Sequence, residues 1–194
     1  MKKTLALALL MAFLVPVSTQ AKEYTFDVNA KYVNITFESQ MAVEDIVGST
    51  NTVKGSFNWI SAEKGSFELK VPVATLKTGI DMRDDHLRSE GWLSEKKNPY
   101  IVFKGDKIKK TGDTSYELTG TFNLAGKTQE KTITVDIREV PDSLVGNLGG
   151  GDWIRVRGEF SVKLSDHGVK IPDMAAAKVN DVWTVKISLF AKGK

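Results

Sequence analysis

The chain has 194 residues, 41% of them hydrophobic and 26% charged, with 27 basic residues against 24 acidic and a net charge of +3. Without a single cysteine it forms no disulfide, offers no thiol nucleophile and holds no thiolate-bound zinc or iron–sulfur centre. Two histidines are too few for a multi-histidine metal site, and the even charge balance lacks the basic excess that marks a nucleic-acid partner.

In chain order the first element is a leader. Lys2 and Lys3 precede an apolar stretch from Thr4 to Val17, and Thr19 and Ala21 supply small residues before a cut after Ala21. This is the pattern of a secretory signal peptide, and the apolar run is too short to span a bilayer. Cleavage leaves residues 22–194 as one domain with 25 basic and 24 acidic residues, nearly neutral at +1. No cysteine stands at the cut to carry a lipid anchor. Export to a bacterial periplasm is expected.

From residue 32 the apolar residues fall on alternate positions, the period of half-buried strands. Eight runs show it: Val33/Ile35/Phe37, Val53/Gly55/Phe57/Trp59, Phe67/Leu69/Val71/Val73, Ile101/Phe103, Leu118/Gly120/Phe122/Leu124, Ile133/Val135/Ile137, 154–162 and Trp183/Val185/Ile187/Leu189. Thr25 to Val28 is a weaker ninth. Pro72 marks an edge, bulge or break, and Ala125-Gly126-Lys127 a hairpin turn. Gly146 and the Gly149-Gly150-Gly151 triplet make a loop between Val140 and Trp153. Gly120 and Gly158, at inward positions, are read as points of sheet curvature ahead of clearance for a ligand. One segment breaks the period: from Asp81 to Glu90 the spacing predicts a short helix, capped by Asp81, stopped by Gly91, with Met82, His86 and Leu87 on its packed side. Its acidic residues and His86 are read as capping rather than as metal ligands, since no second imidazole is near. The result is all-β and antiparallel, with barrel and sandwich equally consistent with the pattern.

Several segments together resemble the YceI-like family of exported bacterial proteins. They are Val53-Lys54-Gly55-Ser56-Phe57, Val71 to Thr78, Arg83-Asp84-Asp85-His86-Leu87-Arg88-Ser89 followed by Trp92-Leu93, and Asn98-Pro99-Tyr100-Ile101-Val102-Phe103. Further matches are Leu118 to Thr128 and Phe160 to Gly168. Departures are Lys31 in place of a common histidine, Leu164 in place of an arginine, and His167 in place of an aromatic. The resemblance implies a single extended, lipocalin-like antiparallel barrel of about eight strands, with an apolar tunnel for a long-chain amphiphile such as a polyisoprenoid, an isoprenoid quinone or a fatty-acid derivative.

On that reading Phe37, Phe57, Trp59, Phe67, Phe103, Phe122 and Phe160 face inward from six strands, as tunnel wall or as packed core. Ile80, Leu87, Trp92 and Leu93 around the helix form a lid, as do Met174 and the alanines after it. The expected partner is the amphiphile itself, with no cofactor, nucleic acid or membrane span after cleavage, and with the oligomeric state open, a dimer included. The alternatives are a barrel enzyme acting on a lipid-like substrate and a filled structural or interaction barrel. A hydrolase would draw on Ser89 or Ser165 and His86 or His167, but no nucleophile elbow, His-Glu-x-x-His or phosphate loop is present.

Overall fold

The computed structural model describes residues 21–61, 63–146 and 149–194; the predicted leader lies outside the described residues, apart from Ala21. Ten strands form one antiparallel sheet: β1 (Lys22–Thr25), β2 (Val33–Gln40), β3 (Asp45–Thr50), β4 (Lys54–Ser61), β5 (Lys64–Pro72), β6 (Tyr100–Lys110), β7 (Ser115–Leu124), β8 (Lys127–Glu139), β9 (Trp153–Lys163) and β10 (Val182–Gly193). The sheet closes on itself because β1 pairs with both β4 and β10. β2 also lies on β10, and β3 pairs with β2. Thus β1 and β2 are two halves of one barrel member, β3 and β4 two halves of the next, and the ring has eight members. Asn51 fills the break between the halves by donating from Nδ2 to the Val33 carbonyl at 2.9 Å.

The alternating runs become strands because period two puts every second side chain into the barrel. β7 and β8 meet in a two-residue turn, Ala125-Gly126, with φ of 50° and 82°, the left-handed pair that suits a tight hairpin. β5 ends at Pro72, so Val73 belongs to a 3-10 turn rather than to the strand. Gly120 faces Lys104 and Gly105 where the β6–β7 register shifts, and a Cβ there would overlap the Lys104 backbone. Close strand approach at a bulge is its role. The glycine-rich loop also contains a short helix, α2 (Asp142–Val145), that the sequence pattern did not indicate.

The two ends of the barrel differ. At the β1/β4 end the interior is full: Phe57 stacks edge-on against Trp59 at 5.7 Å and Trp59 against Tyr116 at 5.1 Å, with Tyr24 and Phe67 buried beside them. At the β2/β3 end the wall is incomplete. Among the described residues, the backbone of the outer edge of β3 pairs only with Lys77, through a two-way bond with Ser49. Helix α1 (Asp81–Arg88) and the segment after it cover that side. The β8–β9 ladder also stops short, running only from Val135–Gly158 to Glu139–Ile154.

Candidate functional site: an apolar cavity in one half of the barrel

The hollow half contains a cavity lined by twenty-one residues, every one apolar. Its volume is about 150 Å³. β10 supplies Trp183, Val185, Ile187 and Leu189; β9 supplies Phe160 and Val162; β5 supplies Leu69 and Val71. β2 adds Ile35 and Phe37, and Leu87, Trp92 and Leu93 close the α1 side. Water in such a chamber lacks the two to four polar partners it needs.

Of the residues expected to line a tunnel, Phe37, Leu87, Trp92, Phe103, Phe122 and Phe160 do border the cavity. Phe57, Trp59 and Phe67 do not: they share the alternation of the others but sit at the filled end, where they pack on one another and on Phe103 and Tyr116. Ile80 and Met174 are also off the wall, 51% and 91% exposed. Met174 sits in a 3-10 turn whose neighbour Ala175 turns inward instead. The aliphatic walls of β5 and β10, and Trp183, were not singled out by sequence, although their alternation carried the signal. Trp183 tilts on Phe37 at 5.6 Å, and its indole N–H is buried without an acceptor among the described residues.

Phe37 reaches the cavity because β3 makes room for it. Gly48 lies opposite in the ladder, and a Cβ there would fall within the Phe37 ring.

Helix α1 is fixed by charge and not by an apolar stripe. Asp81 does not cap it; the cap position is Ile80, whose side chain makes no such bond. Met82 and His86 face outward. The anchor is Asp84, 1% exposed, whose Oδ1 accepts from the Thr78 backbone N–H and hydroxyl, both at 2.7 Å, while Lys77 Nζ stands 3.3 Å from Oδ2. Burial pushes this carboxyl up, but the bonds from Thr78 and Lys77 outweigh it and hold it below the usual carboxylate range. Arg83 adds a second tie, to Glu44 at 2.7 Å and to the Thr78 hydroxyl and carbonyl at 3.0 Å.

Neither candidate serine meets an imidazole. Ser89 donates to the His86 carbonyl at 2.7 Å and Ser165 to Asp181 at 2.6 Å. His86 is exposed, and His167 lies in a 3-10 turn, not a strand, 5% exposed, with its ring edge-on to Phe122 at 5.4 Å. It fills the place of an aromatic while donating Nδ1–H to the Lys127 carbonyl at 3.1 Å. Among the described residues no group of three acidic, histidine or cysteine side chains gathers as a metal site, and no helix is long and apolar enough to cross a membrane.

The model of the YceI-like domain matches residues 24–191. The chain is 30% identical over 175 residues to a UPF0312 protein of Pseudomonas aeruginosa, covering 88% of this chain and 89% of that one. A UPF0312 protein of Vibrio parahaemolyticus is 32% identical over 178 residues, covering 88% and 90%. Among solved structures, Burkholderia cenocepacia BcnA superposes with a TM-score of 0.73 at 20% identity, over 86% of this chain and all of that one. A polyisoprenoid-binding domain from Saccharophagus degradans, implicated in plant cell wall breakdown, gives 0.63 at 13% identity, over 89% and 98%.

Proposed function

The chain belongs to the YceI-like domain family, and from that membership and the shape of its interior we propose that it is a carrier for a long-chain amphiphile, a polyisoprenoid, isoprenoid quinone or fatty-acid derivative, with no chemistry of its own. One observation carries the reading: a cavity whose whole lining is apolar. A polar substrate entering it would give up its hydration for nothing in return. A hydrocarbon chain gains roughly 0.8 kcal/mol for each methylene buried, so about a dozen methylenes contribute roughly 10 kcal/mol before the cost of immobilising the ligand. The polyisoprenoid-binding neighbour from Saccharophagus degradans supports the same ligand class. The signal-like leader supports a place outside the cytoplasm, and we infer the periplasm, where such a carrier would move its ligand between membranes.

The test is to purify the protein from its native compartment, extract it with organic solvent and identify the extract by mass spectrometry. A long apolar chain recovered at near one per protein is the expected result. An empty interior, together with no binding of added quinone or fatty amide, refutes the carrier reading.

A further inference from the structure

The barrel wall is not equally closed around the cavity. β8 pairs with β7 from Lys127 to Asp136, and β9 pairs with β10 along its whole length. Between them, however, the ladder ends at Val135–Gly158, so the first half of β8 and the last part of β9 part company. Three bonds from side chain to backbone span the split: Lys131 Nζ to the Ser161 carbonyl at 2.7 Å, Gln129 Nε2 to the Asp166 carbonyl at 3.1 Å, and His167 to the Lys127 carbonyl. Directly inside lie Phe122, Ile133, Phe160, Val162 and Leu164, all cavity wall. On the α1 side, by contrast, opening the cavity means pulling a buried carboxylate from its bonds.

Lys131 is out of keeping with its strand. It has the inward parity of Ile133, Val135 and Ile137, yet it is charged, half-buried, and 5.9 and 5.7 Å from the centres of the Phe122 and Phe160 rings. Burial lowers its pKa against the opposing pull of Asp166, whose Oδ1 is itself 3.9 Å from Lys163 Nζ. This is a cation at the lip of an apolar chamber, held by a carbonyl instead of a carboxylate.

We propose that the split between β8 and β9 is the head-group site of the cavity, where Lys131 exchanges the Ser161 carbonyl for the anionic head, carboxylate or phosphate, of an amphiphile whose chain lies inward past Phe122 and Phe160. The amide of Gln129 and the imidazole N–H of His167 are further donors on the same line. Opening this side moves three side-chain bonds and breaks no ladder. The proposal rests on the carrier reading and adds to it the charge of the ligand and the side from which the head is held.

The experiment compares three ligands with one saturated chain and different heads, hexadecanol, palmitate and hexadecyl phosphate, by the change in tryptophan emission on titration, since Trp92 and Trp183 border the cavity. The wild-type protein is expected to bind both anions at least about tenfold tighter than the alcohol, the size of one charge-assisted hydrogen bond. The larger of the two gains identifies the anion. Lys131→Met removes the preference for the anions while an unchanged far-ultraviolet circular dichroism spectrum reports an intact barrel, and Lys131→Arg keeps the preference. Equal affinities in the wild type, or a preference that survives Lys131→Met, overturn the head-group site and leave the carrier standing. Failure of all three ligands to bind the wild type overturns both.

Discussion

Asp84→Ala probes how firmly α1 is fastened over the cavity. The substitution removes the acceptor of two 2.7 Å hydrogen bonds from Thr78 and leaves a buried N–H and hydroxyl to find other partners. Hydrogen bonds to a charged group are worth about 1.5–3 kcal/mol each, and breaking a buried charged cluster costs about 3–5 kcal/mol. Lys77, 59% exposed at its side chain, regains water and adds little. A loss of about 4 kcal/mol is therefore expected, or roughly 8–16 °C in melting temperature for a domain of this size. Asp84→Asn, which keeps the acceptor oxygen and loses the charge, costs about 1–2 kcal/mol. The pH dependence has a definite sign. Because the folded carboxyl titrates below its ordinary value, its stabilisation is complete above the unfolded pKa and disappears as pH falls through the folded one. Urea unfolding at pH 7, and again below pH 4, measures both quantities. A variant within about 1 kcal/mol of wild type at neutral pH, or a difference that does not shrink in acid, refutes the account of α1 as a charge-fastened cover.

Three further substitutions address the cavity directly. Trp92→Ala, on the cavity wall but only half-buried, is expected to lower chain affinity by about tenfold or more while shifting melting temperature slightly; equal losses in both would make Trp92 ordinary core. Val185→Trp, filling the chamber from β10, is expected to abolish chain binding in a titration at an overpacking cost of about 1–3 kcal/mol, and unchanged affinity would mean that the chain lies elsewhere. Gly48→Ala drives a methyl into the Phe37 ring and is expected to cost about 1–3 kcal/mol, read by chemical denaturation; a neutral result would show that Phe37 repacks freely.

Much of this architecture was legible in the alternation of apolar residues, because a two-residue period is what a barrel wall requires. β3 was not legible. Its inward positions are Ile46, Gly48 and Thr50, and two of these depart from the apolar pattern for local reasons: Gly48 yields to Phe37, and Thr50 shares a 2.7 Å hydroxyl bond with Thr75. The period also carries no information about depth. Phe57 and Phe122 follow the same rule on their strands, yet one closes the barrel and the other borders its cavity. Asp84 read as one more acidic residue in a first helical turn, since its partner Thr78 lies before the helix and is brought back only by the fold. Lys131 was not singled out, because a charge at an inward parity means nothing until the missing ladder beside it is known.

The aromatic packing at the β1/β4 end has a consequence for which ligands fit. Phe57, Trp59 and Tyr116 act as a floor, and the wall above them, from Leu189 to Trp183 on β10, runs about 20 Å at the usual strand rise. A hydrocarbon chain bound as proposed, entering from the open half, would thus be measured against a fixed stop. If the cavity takes such a chain, as proposed, one up to that depth would fit whole, and a longer one would have to fold back or leave its remainder outside. The floor is a ruler, and lowering it by trimming Trp59 would lengthen the chain that the barrel can enclose.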